Sequence, residues 1–342
     1  METNQKIIVI CGPTASGKTG LALQLAKALP KVNILSVDSR QVYKSLDIIS
    51  GKDIPDSLPK GINIFGHDLF EPDETANLAD FVRYSQKIIQ NSKDTNTPLV
   101  IVGGTGLYLK AITQNLSNIL IPPNQKLRQK LEKLSLSELQ GLLQKENPEK
   151  FSSLNHSDIM NPRRLIRQIE ISESHSGLDP ESIFKHCNEV TSEYKRKHKC
   201  LVKITQLSTK HEQALIQVTP FSEVNFRWIG LMPDKNTLKT NIKNRVIKRI
   251  DEGAIDEVNR LIKNYPDHTL PIYTGLGVSQ IINFLSGNIT KNQLVEQWTN
   301  AEADYARRQI VWFKKQNDIV WYDKDIDRNL LIKELKKYFQ NA

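Results

Sequence analysis

Gly12-Pro13-Thr14-Ala15-Ser16-Gly17-Lys18-Thr19 matches the pattern G-x-x-x-x-G-K-[ST] at every fixed position. Glycines at both ends let main-chain N–H groups converge on phosphate oxygens, and a helix starting there adds positive potential. Lys18 would neutralise terminal phosphate charge, and Thr19 could ligate magnesium. The residues Gly12 to Thr19 therefore predict a diphosphate or triphosphate site. In enzymes that transfer phosphoryl groups, a strand beside such a loop commonly ends in an aspartate that holds the metal. Here the candidate strand Leu99 to Val102 runs instead into Gly103-Gly104-Thr105-Gly106-Leu107-Tyr108. The carboxylate placed at a strand end near the loop is Asp38, in Val37-Asp38-Ser39-Arg40-Gln41-Val42-Tyr43. It could deprotonate an incoming nucleophile or hold a metal. Asp-Ser at a strand-to-helix junction is also good capping chemistry, so a purely structural role stays open at this point.

These residues need a frame that aims them at one another. Ile7 to Cys11 is a β-branched run that meets glycine, and Leu21, Leu25 and Leu29 then recur at helical spacing. That is strand, loop, helix. Asn33 to Val37 and Leu99 to Val102 supply two more strands, so strands alternating with helices predict an α/β fold: a P-loop NTPase-like, doubly wound parallel sheet. Its ligands belong beyond the carboxyl ends of the strands. From about Ile121 the texture changes to Lys, Gln, Leu and Glu at helical spacing, which predicts a helical insertion domain over 121–200 between two parts of the core, 1–120 and 201–342. Strands are expected again at Leu215 to Thr219 and Arg227 to Leu231, then helices over Leu238 to Tyr265 and Lys291 to Gln316.

A chain of 342 residues exceeds the usual single core, which suits two units. The net charge of +9 suits a polyanionic partner. Three scattered cysteines make no disulfide framework, and the run Lys6 to Cys11 is too short for a signal segment or a membrane span, so a cytoplasmic location and no membrane partner are expected. His186, Cys187, His198 and Cys200 fall within fifteen residues, at a spacing that fits no zinc pattern. The basic run Lys195 to Lys199 reads as a solvated helix face.

Five motifs in order, Gly-Pro-Thr-Ala-Ser-Gly-Lys-Thr at 12–19, Asp-Ser-x-Gln-Val-Tyr at 38–43, Gly-Gly-Thr-Gly-Leu-Tyr at 103–108, Asn-Pro-Arg-Arg-Leu at 161–165 and Tyr-Ala-Arg-Arg-Gln at 305–309, resemble the tRNA dimethylallyltransferases of bacterial type. The resemblance implies a monomeric enzyme whose loop grips the diphosphate of dimethylallyl diphosphate, with Mg2+. The acceptor it implies is the tRNA anticodon stem-loop, where the exocyclic amine of the adenosine 3′ of the anticodon attacks the donor. Carried over by motif, Asp38 is the general base, Lys18 and Thr19 hold the diphosphate, and Arg245 adds a second cation. The tRNA contacts would map onto Asp38, Ser39, Arg40, Gln41, Thr105 and Arg128, and onto Arg163, Arg164, Leu165, Ile166 and Arg167. Ile49-Ser50-Gly51-Lys52-Asp53 departs from the family's usual Gly-Thr-Ala-Lys-Pro, and the 273–279 loop is less basic than usual. The competing readings are a P-loop small-molecule or nucleotide kinase, and an RNA-binding P-loop protein without chemistry.

Overall fold

The computed structural model describes residues 5–55, 57–114, 117–119, 121, 123–175, 224–323 and 327–340. The expected strand at Leu215 to Thr219, the Lys195 to Lys199 run and the four His and Cys residues between 186 and 200 lie outside these residues.

Among the described residues six strands form one all-parallel sheet: β1 (Gln5–Cys11), β2 (Val32–Val37), β3 (Ile62–Phe65), β4 (Leu99–Gly103), β5 (Val224–Leu231) and β6 (Ile319–Tyr322), in the order β3-β2-β4-β1-β5-β6. β2 and β4 are buried along their whole length and β1 from Ile7 to Cys11, and their sequences are accordingly rich in Val, Ile and Leu with little alternation. The pairing Ile7↔Leu99 to Cys11↔Gly103 sets β4 beside β1, and Val37↔Gly103 sets the end of β2 beside β4. The phosphate loop, Asp38 and Gly104 therefore leave three adjacent strand ends. Ile8, Ile10, Leu21, Leu25, Val100 and Val102 build the core between sheet and helix Lys18–Lys27.

β3 and helix Leu78–Asp94 are two elements the sequence reading did not single out, although the helix carries Phe81, Val82, Ile88 and Ile89 at helical spacing behind an Asn77 cap. β3 is a four-residue edge strand with one buried apolar side chain, Ile62, so its alternation is too short to register. The expected helical stretch from Leu238 to Tyr265 is two helices, Lys235–Asp251 and Ala254–Asn264, broken at Gly253. Helix Lys291–Phe313 opens with a capping box, in which Thr290 and Gln293 bond reciprocally.

The chain divides into two compact units, Met1–Asn115 with Val218–Ala342, and Leu116–Gln217. The second begins within a few residues of the start of the expected 121–200 insertion and ends well beyond its end. Its described part is helical: Gln125–Leu131, Leu136–Glu146, Pro148–Ser153, His156–Ile159 and Pro162–His175, around a core of Leu131, Leu139, Leu143, Leu165, Ile166 and Ile169.

Candidate active site

The loop Gly12 to Thr19 joins β1 to helix Lys18–Lys27, as its motif requires. Lys18 Nζ donates to the Pro13 carbonyl at 2.6 Å, folding across the loop. Burial, then the neighbouring Arg245 charge, lowers its pKa to about 8. Thr19 is exposed, so its hydroxyl is open to a ligand. Cys11, just before the loop, has its thiol pushed up to about 12 by burial and is no nucleophile at neutral pH.

Asp38 follows β2 directly, but no helix follows it. Residues 39–51 form turns, and the carboxylate accepts the Arg40 N–H at 2.8 Å, an Asx turn and not the helix cap that was the alternative to a chemical role. Burial raises its pKa above the ordinary aspartate value, against the lowering pull of the Arg40 and Gln41 N–H groups and the charges of Arg40 and Lys18. Tyr305 stands close enough to feel that charge: its hydroxyl is pushed up to about 12 by burial first and by Asp38 next. Tyr108 is likewise pushed up to about 12 by burial. Both phenols stay neutral donors near the carboxylate.

The turn after Asp38 is held from several sides. Arg40 donates to the Pro271 carbonyl at 2.7 Å, and the Gln41 amide donates to the Gly51 carbonyl at 2.7 Å while its oxygen accepts from Ser36 at 2.8 Å. His67 sits 3.1 Å from the same oxygen, with its pKa lowered to about 4 by burial and by Lys52, so it is neutral. Lys52, in the segment that departs from the family pattern, is buried and bonds the Tyr43 carbonyl, Asp47 and Asp68. It braces the turn. Glu257, 5 % exposed, takes the N–H groups of Asp47, Ile48 and Ile49 at 2.8 to 3.0 Å.

Arg245 projects from helix Lys235–Asp251 onto the loop and bonds the Thr14 hydroxyl. Two residues of helix Lys291–Phe313 meet the loop as well: Glu302, which the sequence reading did not single out, and Gln309, the last residue of the 305–309 motif. Glu302, 3 % exposed, bonds Thr14 Oγ1 at 3.2 Å, Arg245 at 3.2 Å and the buried Arg249 at 3.0 Å. Gln309 accepts the Thr14 N–H at 2.7 Å and donates to the Gly104 carbonyl at 2.8 Å, tying the phosphate loop to the Gly103 to Tyr108 loop. A side chain at Gly104 would place Cβ 2.4 Å from Gln309 Nε2, and one at Gly106 would meet Trp312 at 2.3 Å. Those glycines are there for close approach. Thr105 precedes helix Gly106–Thr113 as its cap residue, without a side-chain capping bond.

The remaining proposed contacts belong to the helical unit. Arg128 grips the buried Glu170 in a fork, 2.7 and 2.8 Å, and Arg167 reaches the same carboxylate at 3.2 Å and the carbonyls of Asn118 and Ile121 at 2.9 and 2.7 Å. Arg164 pairs with Asp158, and Arg163 is exposed. Leu165 and Ile166 point into the unit's core, so their side chains hold the helix and are not presented to a ligand.

Residues 41–316 match the family model described as IPP transferase. A tRNA dimethylallyltransferase of Halothermothrix orenii is 31 % identical, the match covering 98 % of this chain and 92 % of the relative. The solved tRNA isopentenylpyrophosphate transferase of Bacillus halodurans superposes with a TM-score of 0.64 at 25 % identity over 98 % of this chain and 96 % of that one. A eukaryotic dimethylallyltransferase acting on tRNA shares the fold with a TM-score of 0.73 at 20 % identity, over 99 % of this chain and 80 % of that one.

Proposed function

The chain belongs to the IPP transferase family, and on that premise we propose that it is a tRNA dimethylallyltransferase. It moves the dimethylallyl group of dimethylallyl diphosphate to the exocyclic N6 amine of the adenosine 3′ of the anticodon and releases diphosphate. The observation that carries this reading is the pairing of a complete phosphate loop with Asp38 at the end of β2, while β4 beside the loop ends in Gly103 without a carboxylate. A kinase needs that missing metal-holding aspartate. A prenyl transfer needs a base at the nucleophile and cations at the leaving group.

In the reaction, the bond between the donor's first carbon and its phosphate oxygen breaks, and a carbon–nitrogen bond to the adenine amine forms. The amine proton passes to Asp38, whose raised pKa suits it to accept a proton from a weak nucleophile. Lys18 and Arg245 neutralise charge as it grows on the leaving diphosphate, which is stabilisation realised in the transition state. Tyr305 and Tyr108, whose hydroxyls are held neutral by burial, stand close enough to Asp38 to feel its charge. Magnesium fits the donor set: the exposed Thr19 offers a hydroxyl beside the loop, and magnesium is usually held by phosphates, waters and one or two protein oxygens. Thr19 would be its protein ligand, and the ion would supply further neutralisation of the diphosphate.

Ser39, Arg40, Gln41 and Thr105 stand near the base and are proposed to face the flipped adenosine, with Arg163 and Arg164 on the anticodon stem-loop. Unmodified tRNA incubated with labelled dimethylallyl diphosphate or with γ-labelled ATP tests the reaction. Label is expected in RNA from the prenyl donor; transfer from ATP alone would establish the kinase instead.

A further inference from the structure

Between the turn that carries Asp38 and the phosphate loop runs an unbroken line of contacts, and two buried side chains of opposite charge complete it. The Asp38 carboxylate takes the N–H groups of Arg40 and Gln41. The Gln41 side chain donates to the Gly51 carbonyl at 2.7 Å and is tied back to β2 through Ser36 at 2.8 Å. Gly51, at φ +64°, packs against Arg249: a Cβ there would overlap Nη2 and sit 2.8 Å from Cζ. Arg249, 5 % exposed, donates to Glu302 Oε1 at 3.0 Å, and Glu302 Oε2 accepts from the Thr14 hydroxyl at 3.2 Å. The base end and the leaving-group end of the site are thus joined through one guanidinium. A few residues earlier the same segment is pinned by Glu257, which takes the N–H groups of Asp47, Ile48 and Ile49 and leaves Gly51 little room to shift.

We infer that Arg249 is a positioning residue for the transfer step: packed on Gly51 and bonded to Glu302, it sets the distance between the Asp38 turn and the phosphate loop. The inference rests on the reading of Asp38 as the base and of Gly12 to Thr19 as the diphosphate site. Burying two charges costs desolvation, and a buried ion pair adds little net stability over an apolar pair of the same volume. Packing of helix Lys235–Asp251 on helix Lys291–Phe313 therefore does not by itself call for an arginine. What the pair supplies is direction. A planar guanidinium bonds in fixed geometry, so Gly51 meets a surface whose place is set by Glu302, and through it by Thr14. An aliphatic side chain of the same length would fill the space without that register. Nucleophile, base and leaving group must line up for the transfer, and a misplacement of about 1 Å can cost about a hundredfold in rate. Arg249 acts on the base through Gly51 and Gln41 and takes no proton itself: burial lowers its pKa only to about 10, so it stays a cation at neutral pH.

The test takes three variants, Arg249→Met, Gly51→Ala and the two together. Each is measured for single-turnover prenyl transfer at saturating donor and tRNA, and for pyrophosphate binding by calorimetry. Methionine fills the arginine's space and leaves Glu302 Oε2 on Arg245 and Thr14. Arg249→Met is expected to slow transfer roughly tenfold to a hundredfold, with pyrophosphate affinity within about threefold of native. Gly51→Ala, which drives a methyl into the guanidinium, is expected to cost a similar factor in the native background. In the Arg249→Met background it should cost less than about threefold more, because the two changes break one contact. Should Arg249→Met fail to fold, Gly51→Ala carries the test alone: slowed transfer at native pyrophosphate affinity supports the inference, and a native rate overturns it. An unchanged rate in folded Arg249→Met, losses that multiply in the double variant, or a rate loss matched by an equal loss of pyrophosphate affinity would overturn the inference and leave the proposed reaction standing. A native chain that transfers no prenyl label to RNA would bring down both.

Discussion

Asp38 and Lys18 are moved by burial toward each other on the pH scale, the aspartate upward and the lysine down to about 8. Each is active in its charged form, so the signs differ. Asp38 becomes a base only when pH rises past its raised pKa, which places the acid limb of kcat/KM above the ordinary aspartate range. Lys18 loses its cation as pH rises through about 8, which sets the basic limb there in the free enzyme. A bell is expected in a kcat/KM profile, and a profile flat from pH 6 to 9.5 would contradict it. Arg245 is the second cause of the lysine shift after burial, so Arg245→Met should move the basic limb to higher pH even as turnover falls. Asp38→Asn should lower single-turnover rates about a hundredfold to ten-thousandfold, with little change in donor affinity. A small loss with the fold intact would make Asp38 only the Asx-turn residue it also is. Lys18, Thr19 and Asp38 were readable because their spacing to glycine and to a strand end is local. Glu302 was not: nothing at position 302 in a helical repeat announces a bond to Thr14.

The elements position this chemistry through buried charges that cross between distant segments. Glu257 on helix Ala254–Asn264 receives three consecutive N–H groups of the turn at 47–49, which the sequence shows only as a helical acid. Glu257→Ala would leave those donors with water at best and should cost roughly 2 kcal/mol in denaturant unfolding. In the helical unit Glu170 plays the same part for Arg128 and Arg167. Burial alone would raise its pKa, yet hydrogen bonds from Arg128 and Arg167 win and hold it below the ordinary glutamate value. A depressed carboxylate stabilises above its unfolded pKa and loses that contribution as pH falls through the folded one. Helicity of this unit should therefore fade on acidification below the usual glutamate range, and Arg128→Ala should destabilise it by about 2 to 3 kcal/mol, the guanidinium being one-third exposed. The strands β1, β2 and β4 were legible because a fully buried parallel strand is a plain run of Val, Ile and Leu. The edge strand β3 and the break at Gly253 were not, since four residues carry too little pattern and one glycine inside a periodic stretch reads as tolerable.

At the scale of the whole molecule the net charge of +9 becomes an expectation about RNA, and the structure changes which arginines should express it. In sequence, Arg128, Arg163, Arg164 and Arg167 look alike. In the fold Arg128 and Arg167 are spent on Glu170 and on main-chain carbonyls, Arg164 is paired with Asp158, and Arg163 is exposed. A guanidinium already committed to a buried carboxylate has little left for a phosphate, whereas an exposed one can displace a condensed counterion. Binding of tRNA should weaken steeply with salt, by a slope of roughly 0.7 for each phosphate neutralised in single-stranded segments. Arg163→Ala should flatten that slope by about one such contact and weaken tRNA binding by about 1 kcal/mol, with pyrophosphate binding unchanged. Arg167→Ala should show its effect in unfolding, as Arg128→Ala does, because it strips a partner from Glu170. Fluorescence anisotropy with a labelled anticodon stem-loop, repeated across a salt series, separates the two. An Arg163→Ala protein with the native slope would place the RNA footprint on another face, and an Arg167→Ala protein of native stability but flattened slope would show that the arginine leaves Glu170 to meet RNA.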